Sequence, residues 1–224
     1  MKLKICGMNH NIAEVAKLQP DLLGFIFWEP SKRFFDGTIP ELPETICKVG
    51  VFVDANTNII LDRTKEFALN AIQLHGNESP EFCANLKVQF EKQNSKIDII
   101  KVFSIKDSFD FSQLDAYEKS ADFFLFDTKG KVPGGNGYQF NWEVLKGYPS
   151  KKPYFLSGGI GPEELDSVLE FLQKEESKFC YAIDVNSKFE KSPGLKDIDK
   201  LKEFKNRLLE TNSSEILKYD LSCK

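Results

Sequence analysis

No apolar run in this 224-residue sequence approaches the ~20 residues that cross a bilayer, so no membrane-spanning helix is expected. The N-terminal lysines are not followed by the apolar stretch of a secretion signal. No CxxC pair occurs among the five cysteines, Cys6, Cys47, Cys83, Cys180 and Cys223. Their odd number argues further against a disulfide framework or a structural zinc site, and the expected compartment is a reducing cytoplasm. Neither sign of charge dominates: 30 basic and 34 acidic residues, net −4, are mixed along the chain and leave no nucleic-acid footprint. An anionic ligand would therefore depend on a local cation or on backbone N–H groups. No linker-like or low-complexity stretch divides the sequence, which predicts one domain over residues 1–210 and a polar tail, 211–224, that frays. No exposed apolar stripe is evident, so a monomer is expected.

What is present is a repeated alternation. Eight short runs rich in Val, Ile, Leu and Phe recur: Leu3–Cys6, Leu22–Phe27, Lys48–Val53, Ala71–His75, Ile97–Phe103, Phe123–Asp127, Tyr154–Ser157 and Tyr181–Val185. Most are nearly continuously apolar, the pattern of strands buried on both faces. Amphipathic segments at Asn58–Leu69, Ser79–Gln93, Pro162–Lys174 and Asp197–Leu209 predict helices, two of them opening on a proline at the first helical position. Residues 34–43 hold Gly37, Pro40 and Pro43, so any helix there is short or irregular. Eight strands alternating with helices predict an α/β fold, a single (β/α)8 barrel. The rival, a doubly wound open sheet, normally carries a Gly-rich turn after an early strand, and this sequence has none there.

Side chains alternate along a strand, and that parity sorts the polar residues. Phe124 and Phe126 share one face, which turns Asp127 inward; the same argument turns inward Asp184, Gln73 with His75, and Lys4 with Cys6. A purely structural barrel would fill this space with branched apolar side chains. A lone strand cysteine is usually a small core residue, and His75 or Asp127 could serve the fold alone, but here they converge with the others on one rim. Lys4 is expected to neutralise an interior carboxylate such as Asp184. Ser157-Gly158-Gly159-Ile160 follows the seventh strand and Asp184-Val185-Asn186-Ser187 the eighth. Backbone N–H groups of those two loops commonly bind phosphate in barrels, which nominates Gly158, Gly159, Asn186 and Ser187. The sixth loop, Lys129–Gly137, carries Pro133-Gly134-Gly135-Asn136-Gly137, the composition of a lid or of a loose connection.

The motifs Lys4-Ile5-Cys6-Gly7, Gly24-Phe25-Ile26-Phe27, Val49-Gly50-Val51-Phe52-Val53, Gln73-Leu74-His75-Gly76, Phe126-Asp127-Thr128, Leu156-Ser157-Gly158-Gly159-Ile160, Asp184-Val185-Asn186-Ser187 and Pro193-Gly194-Leu195-Lys196-Asp197 stand in this order. In order and spacing the chain resembles the phosphoribosylanthranilate isomerases of tryptophan biosynthesis over roughly residues 1–209. That resemblance implies an Amadori rearrangement of N-(5-phosphoribosyl)anthranilate to 1-(2-carboxyphenylamino)-1-deoxyribulose 5-phosphate. It implies Cys6 as general base, Asp127 as general acid and Arg33 as the active-site arginine for the anthranilate carboxylate, with Gln73, His75 and Asp184 positioning the substrate. No cofactor or metal is implied; the partner is a small phosphorylated substrate. Three positions depart from the family pattern: Lys32 stands for a proline, Lys188 for a glycine and Asn136 for a threonine. Cys6 is expected to ionise beside a positive neighbour, helix dipoles or Arg33 more than Lys4, and to alkylate unusually fast.

Two enzyme alternatives and one non-enzyme remain. The related aminoaldose–aminoketose isomerase of histidine synthesis uses two aspartates, which Cys6 argues against. The tryptophan synthase α subunit needs a glutamate–aspartate pair that is not found. A non-catalytic phosphate-binding barrel would be expected to lose Cys6 or Asp127.

Overall fold

The computed structural model describes residues 1–128 and 140–210. Eight parallel strands form a closed barrel in chain order: β1 (Lys2–Ile5), β2 (Leu22–Ile26), β3 (Cys47–Phe52), β4 (Ala71–Leu74), β5 (Asp98–Ile105), β6 (Phe123–Thr128), β7 (Tyr154–Leu156) and β8 (Cys180–Val185). Closure is made by β1 against β8, with Lys2 opposite Ala182 and Lys4 opposite Asp184. That seam excludes the open sheet. All eight expected strands are present, with ends displaced by a residue or two.

The helices match less uniformly. α1 (Ile12–Ala16) is a short helix that the pattern did not announce. α2 (Thr57–Glu66) starts where the Asn56 side chain accepts the Ile59 N–H at 3.0 Å. α3 (Pro80–Lys92) starts at Ser79, whose hydroxyl accepts the Phe82 N–H at 3.2 Å, with Pro80 in the first turn. Such caps contribute about 1 kcal/mol each. The helix predicted over 162–174 is shorter: a 3₁₀ turn at Pro162–Glu164 leads into α4 (Leu165–Phe171). α5 (Ile198–Glu210) closes the described chain. After β5 and β6 the return segments are 3₁₀ helices, Phe111–Tyr117 and Trp142–Gly147, and residues 34–43 form no helix. A small antiparallel hairpin, β9 (Glu190–Ser192) with β10 (Leu195–Lys196), follows β8 and was not anticipated.

Packing divides into two layers, as strand parity requires. Outward side chains such as Phe124, Phe126, Ile183 and Val185 meet the helices. Inward ones, including Val49, Ile100, Val102, Leu125 and Ala182, fill the barrel. Its N-terminal end is plugged by three rings, Phe123, Phe155 and Tyr181, with centroids 4.9–5.7 Å apart. A fully buried aromatic of this kind stabilises by roughly 1.5–3 kcal/mol. The inner layer changes character towards the C-terminal ends, where the apolar side chains give way to Lys4, Gln73, Asp127 and Asp184, all buried.

Cys6, Cys83 and Cys180 are free and buried. Cys47 is disulfide-bonded, a single bridge that the cysteine spacing did not announce. Among the described residues no helix is long and apolar enough to cross a membrane. The sixth-loop motif and the polar tail lie outside the described residues.

Candidate active site

One cavity opens at the C-terminal ends of the strands. Its walls include Cys6, Gln73, His75, Asp127, Asp184, Gly158, Gly159, Asn186 and Ser187. Nine of the ten nominated side chains and glycines therefore share a single space. Ile26, Trp28, Val51, Val53 and Ile160 supply an apolar wall, and Ser31 and Ser157 complete it. Apolar wall residues together with a few convergent polar groups are the usual lining of a small-molecule site.

Cys6 continues β1 just past its last residue. Space for its sulfur is made by Gly24 on the neighbouring strand: a β-carbon there would stand 2.8 Å from Cys6 Sγ and 3.1 Å from Cys6 Cα. Beneath the thiol, the Lys4 ammonium donates to Asp184 Oδ1 at 2.9 Å, and its charge acts on Cys6 as well. Lys4 is fully buried and Asp184 nearly so. The expected neutralisation of Asp184 by Lys4 is present, and the cations that act on the thiol are Lys4 and Lys196.

Burial and the neighbouring cations pull the Cys6 thiol in opposite directions. Burial raises the Cys6 pKa above its ordinary value, Lys4 and Lys196 pull it down, Asp184 raises it further, and the net direction is upward. Asp184 is raised by burial, with Lys4 opposing and Asp127 reinforcing. Burial also works against the Lys4 charge, but Asp184 and Cys6 outweigh it and Lys4 moves upward.

Asp127 ends β6. Its Oδ1 accepts the Thr128 N–H at 2.9 Å, and its Oδ2 lies 3.3 Å from His75 Nε2 without hydrogen-bond geometry. Gln73 Nε2 is 3.2 Å from His75 Nδ1. The loop carrying His75 is fixed from behind. Lys101 donates to Gly76 O at 2.8 Å and to Glu78 Oε2 at 2.7 Å, while Glu78 Oε1 accepts the Asp54 N–H at 3.0 Å. This buried pair escaped notice because Lys101 lies on the outward face of β5 and Glu78 in a loop.

Gly158 and Gly159 adopt φ of +95° and +68°, open to glycine but strained for other residues. A β-carbon on Gly158 would meet Thr128 Oγ1 and the Thr128 backbone nitrogen. These two residues thus let the seventh loop turn tightly against the end of β6. Lys188 does not line the cavity; its stem packs on Gly161, where a β-carbon would come within 2.7 Å of Lys188 Cβ.

Arg33 is the nominated residue placed differently. It is not among the described residues lining the cavity. Its guanidinium is held by Glu190, with Nε 2.9 Å from both carboxylate oxygens and Nη2 2.7 Å from Oε2. Glu190 also accepts from Lys196 at 2.8 Å, and Lys196 donates to Asn186 Oδ1 at 2.8 Å. Neither Glu190 nor Lys196 was nominated, although Lys196 stands inside a quoted motif.

A family model described as N-(5'phosphoribosyl)anthranilate (PRA) isomerase matches residues 3–207. The chain belongs to this family. A curated relative named N-(5'-phosphoribosyl)anthranilate isomerase, from Parabacteroides distasonis, is 42% identical over 217 residues, covering 93% of this chain and 94% of the relative. One of the same name from Phocaeicola vulgatus is 40% identical, covering 93% and 98%. The solved phosphoribosyl anthranilate isomerase of Thermotoga maritima superposes with a TM-score of 0.78 at 30% identity, covering 94% of this chain and 99% of that one. A further family structure, solved with reduced 1-(o-carboxyphenylamino)-1-deoxyribulose 5-phosphate, has a TM-score of 0.74 at 28% identity and covers 94% and 99%.

Proposed function

We propose that this chain catalyses the Amadori rearrangement of N-(5'-phosphoribosyl)anthranilate in tryptophan biosynthesis, with Cys6 as general base and Asp127 as general acid. The observation that carries the reading is the shared cavity: thiol, carboxyl, the glycine-rich seventh loop and the eighth loop face one space. Residues 1–210 are read as the catalytic barrel, acting in the cytoplasm as a monomer.

The substrate's phosphate is assigned to the backbone N–H groups of Gly158, Gly159, Asn186 and Ser187, and its aromatic ring to the apolar wall around Trp28 and Ile26. Asp127 delivers a proton to the furanose oxygen, and ring opening leaves an iminium at C1. The adjacent C2 hydrogen becomes acidic, and Cys6 removes it as a thiolate. The enolamine so formed takes a proton at C1 and loses one from the C2 hydroxyl, giving the ketone without net change in protons. Lys4 supplies the cation beside the sulfur. Gln73, His75 and Asp184 hold the sugar and the acid in register. Acid–base assistance of this kind contributes ~10²–10⁴ in rate.

The test is a fluorescence assay with N-(5'-phosphoribosyl)anthranilate generated in situ. The expected outcome is loss of the anthranilate signal well above a blank, with the deoxyribulose phosphate as product. Cys6→Ala and Asp127→Asn should each remove ~10²-fold or more of turnover while leaving the fold intact. Near wild-type turnover in either variant would end that residue's assignment, and a folded protein with no activity would end the reading as a whole.

A further inference from the structure

The side chain of Arg33 has two hydrogen-bonding edges that matter here. Glu190 occupies the Nε–Nη2 edge through three contacts of 2.7–2.9 Å. Among the described residues nothing takes Nη1 by a hydrogen bond, so the Nη1–Nη2 edge is left over. A guanidinium offers five N–H donors in a planar fork and can accept a carboxylate on each of two edges. Arg33 retains 17% side-chain exposure, whereas Glu190 retains 4%. The buried edge is thus the one Glu190 holds.

The stem and backbone of Arg33 adjoin residues of the cavity wall. Its stem runs beside Gly7, where a β-carbon would stand 2.7 Å from Arg33 Cδ and 2.5 Å from Asn186 Oδ1. Gly7 follows Cys6, and Asn186 lines the cavity. The Arg33 N–H reaches the hydroxyl of Ser31, another cavity residue, at 3.1 Å. Glu190 is anchored in turn by the Gly194 N–H at 3.1 Å and by Lys196 at 2.8 Å. The cluster holds two cations and one carboxylate, a formal excess of one positive charge. Glu190 is held below the usual carboxylate range: burial opposes this, but Arg33 and Lys196 outweigh it.

We propose that Glu190 is a positioning residue that fixes Arg33 side-on, so that the free edge of the guanidinium presents to the aromatic carboxylate of the ligand. The hairpin β9–β10 then has a purpose: it carries the carboxylate that aligns a side chain from the second loop and, through Lys196 and Asn186, ties it to the eighth. This deepens the proposed function and rests on it.

The test is calorimetric binding of two probes: reduced 1-(o-carboxyphenylamino)-1-deoxyribulose 5-phosphate, and the same molecule without its carboxyl group. Wild type should prefer the first. Glu190→Gln removes the charge that orients Arg33; Glu190→Asp keeps a carboxylate for Lys196 but shortens its reach, and guards against failure to fold. Each should cut the preference roughly tenfold, the scale of one charge-assisted interaction. Neither change should reduce the preference further in an Arg33→Ala background. Equal weakening of both probes would show a merely structural role and overturn the proposal, as would an unchanged preference. If wild type binds neither probe and turns over no substrate, the functional reading fails and takes this inference with it.

Discussion

Replacing Lys4 by methionine tests the charge arrangement beneath the thiol. The pair it breaks is buried on both sides, with Lys4 0% and Asp184 6% exposed at 2.9 Å. Methionine fills a similar volume, so the main cost is a carboxylate left in the barrel interior. Removing one partner of such a pair costs about 3–5 kcal/mol. A ceiling follows from the alternative open to Asp184, which is to take up a proton. With an ordinary carboxyl pKa of about 3.9, protonation at pH 7 costs about 4 kcal/mol, at ~1.36 kcal/mol per pH unit. The expected loss at pH 7 is therefore roughly 3–4 kcal/mol.

The sign of its pH dependence is fixed. In the variant, the folded state holds a proton on Asp184 that the unfolded state releases above about pH 4. Stability of the variant then rises as pH falls, by about 1.4 kcal/mol per unit, until the unfolded carboxyl also protonates. Urea unfolding at pH 7, 6 and 5, followed by the emission of buried Trp142, measures this. The gap to wild type should narrow by roughly 2–3 kcal/mol between pH 7 and 5. Lys4→Met/Asp184→Asn should recover most of the loss at pH 7. A gap that does not change with pH, or one below about 1 kcal/mol, would refute the premise that Lys4 sustains a buried carboxylate.

Three other outcomes are expected. Alkylation of Cys6 in the unliganded protein should be slow at pH 7 and keep accelerating beyond pH 9 without a plateau, since burial raises its pKa; iodoacetamide kinetics with peptide mapping would show this, and a plateau near pH 7 would contradict it. Gly24→Ala should cost about 1–3 kcal/mol by overpacking and displace the sulfur, lowering kcat ~10-fold or more; wild-type values of both would mean that β1 and β2 yield easily. The depressed pKa of Glu190 contributes stability that is complete above its unfolded value, about 4.3, and lost as pH falls through the lower folded value. Glu190→Gln should therefore flatten the acid limb of the stability profile, measured by thermal melts from pH 6 to 3, and an unaltered limb would count against the pairing.

Much of this architecture was legible because parity is strict. Once Phe124 and Phe126 were assigned to the helices, Asp127 had to face inward, and the same reasoning placed Lys4, Cys6, Gln73, His75 and Asp184. The short returns after β5 and β6 were harder, because 3₁₀ segments such as Phe111–Tyr117 carry little amphipathic period. The surroundings of Arg33 were out of reach for a different reason. Glu190 lies 157 positions away, and only closure of the barrel brings the second and eighth loops together. The burial of Cys6 was likewise out of reach: spacing showed Lys4 on the same face but could not show a thiol almost fully shielded from water.

The two-tone interior has a consequence for how this barrel can change. The plug of Phe123, Phe155 and Tyr181 at one end and the reactive rim at the other share no side chains. Mutations at the rim can explore new chemistry while the plug keeps the scaffold standing. Lys4 is the exception, since it lies between the two zones and holds the one carboxylate that cannot be left alone. A lineage or an engineer changing this enzyme's reaction would find most of the mouth negotiable, and would have to move Lys4 and Asp184 together or not at all.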